Sequence, residues 1–283
     1  MLATCLALVA FAGNSLLSRL ALANTSIDAA TFVSVRLLSG AILLGVLAYV
    51  RGARSALKGS WASAFALYVY AVAFTFAYLQ LPAGTGALLL FGAVQVTMIT
   101  TAVVRGERLS ARQRGGLLLA YVGLIGLVLP GVSSPPITSA LLMLCAGIAW
   151  GVYSLRGRGV EDPTAVTAGN FMRAVPFALL TSAVLWRDQS IDSNGIGYAV
   201  ASGAITSGVG YAVWYSVLPS LQATTAATLQ LTVPVLAALG GVALLREPVT
   251  MRLAVASAVI LGGVLLVVTP RDASRPALDQ DVE

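Results

Sequence analysis

The sequence predicts an all-α integral membrane protein: ten transmembrane helices in two inverted five-helix repeats, with the N- and C-termini cytoplasmic. Three observations predict it. The 283 residues are 58% hydrophobic and only 10% charged, where a soluble domain averages about a quarter charged. Mean hydropathy is +0.89, and the apolar runs approach the roughly 20 residues that cross a bilayer. The chain also says nearly the same thing twice. Arg105-Gly106-Glu107-Arg108-Leu109-Ser110 follows one apolar run, and Leu245-Arg246-Glu247-Pro248-Val249-Thr250 follows another 140 positions later, an offset shared by Gly123 and Gly263. Arg19 and Arg36 precede Arg156 and Arg173 by 137 positions, so three residues separate the two registers. With an odd number of spans per half, the second copy enters the membrane in the opposite orientation. Such repeats place a pseudo-twofold axis in the membrane plane and a substrate path at their interface.

The first repeat, residues 1–132, holds spans near 2–22, 29–50, 60–79, 83–103 and 114–130. Each ends at a breaker: 24–28, 51–59, Leu81-Pro82, 106–112 and 130–136. Ala21-Leu22-Ala23 resembles a signal-peptidase site, but no Lys or Arg precedes the run and Arg19 interrupts it. The first run is therefore read as a retained helix. Ser110-x-x-Gln113 is a capping box that opens the fifth span. The second repeat, residues 136–270, holds spans near 138–156, 165–186, 196–218, 223–245 and 251–269. Residues 271–283 are polar, carry Pro276, and read as a disordered cytoplasmic tail.

Positive charge sets the orientation. With the N-terminus inside, inner segments hold Arg51, Arg54, Lys58, Arg105, Arg108, Arg112, Arg114, Arg156, Arg158, Arg271 and Arg275. Outer segments hold Arg19, Arg187, Arg246 and Arg252. That bias follows the positive-inside rule and accounts for the net charge of +6 without a nucleic-acid partner. Ser202, Thr206 and Gly210, like Ala254, Ala258 and Gly262, form small-residue stripes that let helices approach closely.

What is missing narrows function further. There is no histidine, hence no imidazole base or metal ligand. All eleven carboxylates fall in loops, span ends or the tail, whereas ion-coupled carriers commonly keep one near the midplane. Transport without a buried carboxylate switch is expected to be facilitative. Cys5 and Cys145 stand at equivalent repeat positions and read as small buried side chains. Asp188 and Asp192 lie beside Asn194 and Gly195 as turn residues, so an integral-membrane enzyme lacks its catalytic groups. No catalytic residue, metal or cofactor is expected.

Candidate site residues follow from polarity at depth. Pro234, near the middle of the ninth span, would kink the helix and free the carbonyl of Gln230. A free carbonyl beside an amide near midmembrane makes a polar binding element, and Gln95 occupies the matching helix of the first half. Asn14 and Trp150 lie near half-depth, with Ser15, Tyr78, Tyr153, Trp214 and Tyr215 as further polar or amphipathic candidates. The substrate-binding set is thus Asn14, Tyr78, Gln95, Trp150, Tyr153, Trp214 and Gln230. Arg36 and Arg173 are the charges well inside spans. One could meet a substrate carboxylate, but the favoured reading makes both structural, together with Glu107 and Glu247, which end corresponding helices beside Arg105, Arg108, Arg246 and Arg252.

The stretch from Thr228-Leu229-Gln230-Leu231-Thr232-Val233-Pro234-Val235 to Glu247-Pro248-Val249-Thr250 resembles the signature of EamA-type carriers of the drug/metabolite transporter superfamily. Gly106-Glu107-Arg108-Leu109-Ser110, Asn14 and Arg36 resemble the first-repeat pattern. The resemblance reaches to about Thr269, and the layout is most similar to bacterial aromatic amino acid exporters. It implies a central cavity and export of amino acids or related metabolites across the inner membrane by a multi-pass carrier. The expected partners are the lipid bilayer and a small-molecule substrate, neutral or aromatic amino acids, with a monomer as the working unit. One departure from symmetry is that Val94 and Gln95 stand where the second repeat has Pro234 and Val235. Another metabolite or a drug is the alternative cargo.

Overall fold

A computed structural model describes residues 2–52, 58–106, 108–157, 159–217 and 229–269, with the side chain of Tyr215 excepted. Glu107, Arg54, Arg158, residues 223–228 and the tail with Arg271 and Arg275 lie outside the described residues.

Among the described residues, regular structure is helical throughout and no strand occurs. The helices are α1 (Leu2–Asn24), α2 (Ala29–Val50), α3 (Trp61–Ala77), α4 (Ala83–Val104), α5 (Ala111–Val128), α6 (Ile137–Arg156) and α7 (Pro163–Val184). A short 3-10 turn, Trp186–Asp188, leads to α8, which joins Ser193–Val200, a π-helical stretch Ala201–Val209, and Gly210–Val217. Then come α9 (Thr232–Leu245) and α10 (Met251–Val268). Six stretches are long and apolar enough to cross a membrane: α1, α2, α4, α6, Ser193–Trp214 of α8, and α10; α3 and α9 are shorter apolar helices.

Local chemistry places the helix starts. Asp28, Ser60, Asp162, Asp192 and Thr250 each accept a hydrogen bond from a backbone N–H three residues on, which satisfies one of the free donors at a helix N-terminus. Pro163 follows its cap at the first helical position, where a missing N–H costs nothing. The expected capping box is present: Ser110 N donates to Gln113 Oε1 at 2.9 Å, and Gln113 N donates to Ser110 Oγ at 3.3 Å. Asp192 thus has a purpose beyond a turn, as the cap of α8.

The packing is reciprocal. Helix α6 lies against α3 and α4, and α1 lies against α8 and α9; α2 pairs with α7, and α5 with α10. Residues Ala83 through Val96 of α4 are buried throughout. Small residues permit the closest crossings. A Cβ on Gly116 would sit 2.5 Å from the carbonyl oxygen of Gly263, and one on Gly263 2.6 Å from that of Gly116. Gly203 lets the π-helical stretch of α8 rest on the backbone of Arg36. Outward faces carry Leu6, Val9, Ile42, Leu118 and Val255, as expected where lipid chains rather than water are the solvent.

One expectation needs correction. Cys5 and Cys145 are free but exposed. They stand on the outer surface of the bundle, because in a membrane an apolar position can face lipid as readily as the core. In the ninth span, read as 223–245 with Pro234 near its middle, the described part is helical on either side of a break at Leu231: Pro234 is the third residue of α9, and Gln230 lies in a preceding helical turn. The interruption falls where a proline displaces the carbonyl four residues back. Thr232 Oγ1 donates to the carbonyl of Leu229 at 2.7 Å across the break.

Candidate functional site

Helix α1 carries Asn14 into the middle of the bundle, 6% exposed. Its amide is engaged at both ends. Nδ2 donates to the hydroxyl of Tyr70 on α3 at 3.1 Å. Oδ1 accepts from Ser202 Oγ at 2.7 Å and from Thr206 Oγ1 at 3.4 Å, both on the π-helical stretch of α8. A buried amide left without partners would cost about 1–3 kcal/mol, so this residue joins three helices at one point. The wider turns of the π-helix present Ser202, Thr206 and Ser207 along one inward face, and π segments recur at functional sites. The stripe read as close packing is in part the polar wall of a site.

Around Asn14 is a small cavity lined by Phe11, Ser15, Tyr70, Phe74, Leu90, Phe91, Trp150, Thr206, Ser207, Tyr211 and Gln230. Its aromatic side is a connected stack. Trp150 lies parallel to Tyr211 at 5.1 Å and to Tyr153 at 5.3 Å, and reaches Tyr70 at 4.8 Å. Tyr70 packs on Phe74 at 5.3 Å, and Phe11 meets Tyr211 and Trp214. The open space is about 20 Å³, room for one ordered water and far from the volume of an amino acid. Admitting one requires the helices to part.

Of the residues singled out from sequence, Asn14, Trp150 and Gln230 line this cavity. Tyr153 backs Trp150, and its hydroxyl accepts from Asn170 Nδ2 at 3.5 Å, toward the α6–α7 end. Trp214 supports Phe11. Gln95 is buried on α4, one turn beyond Phe91, away from the lining. Tyr78 is fully buried at the end of α3, edge-on to Phe74, and its hydroxyl donates to the carbonyl of Ala83. It belongs to the closure at that end. Ser15, a candidate beside Asn14, is in the lining too; sequence reading missed Phe11, Tyr70, Phe74, Phe91, Thr206, Ser207 and Tyr211, and Tyr70 and Phe74, four apart on one helix face, were the available signal.

Beside Tyr78 the bundle is tied shut. Arg19 Nε donates to Glu247 Oε1 at 3.0 Å. Its Nη1 donates to the carbonyls of Tyr78 at 3.0 Å and Leu79 at 3.1 Å. Glu247 Oε2 accepts from the backbone N–H of Ala83 at 2.7 Å, at the first turn of α4, where the helix dipole favours an anion. This revises the reading of Glu247 as a solvated charge beside Arg246 and Arg252. Its partner is Arg19, while Arg252 Nη1 donates to the carbonyls of Leu127 and Leu129 at the end of α5. At the opposite end, Arg156 Nε donates to Ser63 Oγ at 3.0 Å and Asn170 Oδ1 accepts from Ser60 N at 3.0 Å.

The two intramembrane arginines differ. Arg173 Nη1 donates to the carbonyl of Gly169 on its own helix at 2.9 Å, which fits a structural charge. Arg36 is 2% exposed and touches the cavity wall. Its Nη2 donates to the Tyr70 hydroxyl at 3.1 Å, and its guanidinium lies 5.4 and 4.9 Å from the ring centres of Tyr70 and Phe74. A larger cleft of about 750 Å³ opens sideways between α4, α5 and α6, lined mainly by residues such as Val96, Ile125, Leu141 and Ile148. Its apolar, laterally open form suits lipid chains rather than a polar cargo.

Comparison with known proteins points the same way. Residues 137–269 match the profile of the EamA-like transporter family. An uncharacterized protein of Pseudomonas aeruginosa is 54% identical over 272 residues, covering 96% of this chain and 95% of that protein. An uncharacterized transporter of Archaeoglobus fulgidus is 26% identical over 212 residues, covering 73% and 75%. A "Probable amino-acid metabolite efflux pump" of Salmonella typhimurium is 25% identical over 198 residues, covering 64% and 66%. A crystal structure of 21% sequence identity superposes with a TM-score of 0.65 over 93% of this chain and 96% of the other, a likeness of fold.

Proposed function

The chain belongs to the EamA-like transporter family, and on that premise we propose that it is a secondary carrier exporting neutral and aromatic amino acids or related metabolites by alternating access. The cavity around Asn14 and Trp150 is the path, and the bacterial inner membrane is the site of action. The observation that carries this reading is the combination of an aromatic stack and a neutral polar cluster in one buried space between the halves. Aromatic faces suit an aromatic or apolar side chain, and the amides and hydroxyls suit its polar end.

The reciprocal packing of α6 with α3 and α4, and of α1 with α8 and α9, supports two inverted five-helix repeats, 1–132 and 136–270. Both termini are cytoplasmic in this reading, so the Arg19–Glu247 closure faces outward. A single copy has enough helices to enclose the path. Among the described residues, the buried polar and charged side chains are neutral apart from Arg36, which favours facilitated export over proton coupling.

Uptake of labelled tryptophan, phenylalanine, methionine and threonine into proteoliposomes, compared with lysine and glutamate, tests the proposal. Saturable uptake of the neutral set, unchanged by a pH gradient, is expected. Absence of uptake for every amino acid would move the cargo to another metabolite class, and gradient-driven uptake would overturn the facilitative mechanism.

A further inference from the structure

The cavity has donors to spare and no acid to receive them. Arg36 is always protonated, and its Nε and Nη1 have no hydrogen-bond partner among the described residues. Its one hydrogen bond to a side chain, from Nη2, goes to the neutral hydroxyl of Tyr70. The ion pair found among the described residues, Arg19–Glu247, is elsewhere. Ser207 Oγ, in the cavity wall, also lacks a partner there. The Tyr70 hydroxyl accepts from both Asn14 and Arg36, which occupies its lone pairs and leaves its proton for an acceptor.

A buried guanidinium two-thirds unsatisfied is costly to the resting protein. Opposite charges normally accompany such a group, since desolvating it without a counterion costs several kcal/mol. Surplus N–H and O–H donors in and just behind one cavity wall call for an acceptor-rich anion. The guanidinium fork matches a carboxylate in two-point geometry. Arg36 stands directly behind the lining residues Tyr70 and Phe74. The lining is aromatic and holds no other cation among the described residues, so a monoanion fits better than a phosphate.

We propose that Arg36 is the anchor for a carboxylate on the transported molecule, with Tyr70 and Ser207 completing its shell. It follows that the carboxylate is the obligatory part of the cargo, while an amino group, for which the site holds no acid, is dispensable. This deepens the proposed function by assigning the polar end of the cargo, and it changes the role of Arg36 from structural to substrate-positioning.

The test is thermal stabilisation of the purified protein in lipid nanodiscs by 3-phenylpropionate, phenylalanine, phenylethylamine and phenylphosphonate. The two carboxylates are expected to stabilise wild type at concentrations at least tenfold lower than the amine. Arg36→Gln is expected to erase that preference, Arg36→Lys to keep part of it, and Tyr70→Phe to weaken it. Equal stabilisation by amine and acid, stabilisation by none of the four, a stronger response to the phosphonate, or an Arg36→Gln protein that still prefers acids would each overturn the proposal. The wild-type series decides even where a variant fails to fold. Because binding is read without transport, a carboxylate preference stands if phenylalanine proves not to be carried, and that outcome would count against the proposed cargo alone.

Discussion

Arg19 and Glu247, 228 positions apart in the chain, meet at 3.0 Å and together fasten the end of α3, the start of α4 and the turn after α9. Arg246 stands just before Glu247 in the left-handed region, with φ 56°, and the backbone N–H of Glu247 donates back to the carbonyl of Gly241 at 3.1 Å. The turn delivers the carboxylate to its two donors. Opening at this end would break the cluster.

Removing the carboxylate should therefore favour opening. Glu247→Gln is expected to lower thermal stability by about 1.5–3 kcal/mol, the range for hydrogen bonds to charged groups. In the same variant, a cysteine at Ser15 should react faster with a maleimide added from outside. An unchanged labelling rate would show that the pair does not hold this end closed.

Asn14→Ala removes the shared partner of Tyr70, Ser202 and Thr206. We expect a loss of about 1–3 kcal/mol from the groups left unpaired and a matching loss of transport. Asn14→Gln should not rescue it, since the longer amide cannot reach all three donors and acceptors from the same backbone. Melting curves and uptake rates on the same preparation check both.

Trp150 stacks on three tyrosines, each such contact being worth about 0.5–1.5 kcal/mol. Trp150→Ala should cut uptake of aromatic cargo at least about tenfold, equivalent to about 1.4 kcal/mol. Trp150→Phe should retain part of the rate. Equal rates for the two variants would argue that the ring has no contact with cargo.

The α5–α10 crossing is sensitive to a single methyl group. Gly116→Ala would push a Cβ onto the backbone of Gly263, at an expected cost of about 1–3 kcal/mol. Gly126→Ala and Gly262→Ala meet open space and should stay within about 0.5 kcal/mol of wild type. Thermal unfolding in detergent ranks the three.

Acid should loosen the start of α2. Burial raises the Asp28 carboxyl, but hydrogen bonds from Thr31, Ser190 and Ala30 outweigh it and hold the group below its ordinary value of 3.8. A depressed value in the folded state means that this stabilisation is complete above the usual carboxylate range and is lost as pH falls through the folded value. Stability measured from pH 6 down to pH 3 should fall less steeply in Asp28→Asn than in wild type.

Much of the fold was legible in the sequence because lipid imposes a length on each apolar run and breakers mark the ends. The capping box at Ser110 was a local signal and formed as read. Asn14 and Trp150 were found because a polar or amphipathic side chain at half-depth is costly without a purpose. The Arg19–Glu247 pair was not, since no periodicity links positions so far apart; only their packing does. Tyr78 and Gln95 were misplaced relative to the cavity for a related reason: depth along a span is readable, but the direction a residue faces on a helix buried on all sides, such as α4, is not. The exposed cysteines have the same origin, because lipid-facing and core-facing positions share one composition. The π-helical stretch of α8 turned a packing stripe into a polar wall, and no residue in Ala201–Val209 announces it.

Substrate protection of the cavity tests the account most directly. With Cys5 and Cys145 replaced by alanine, single cysteines at Ser15 and Ser207 in the cavity and at Leu118 on the lipid face would be alkylated with and without saturating transported substrate. Substrate is expected to slow labelling at the two cavity positions and to leave Leu118→Cys unchanged. Labelling of Ser15→Cys and Ser207→Cys that proceeds at the same rate under active transport would place the path elsewhere and contradict it.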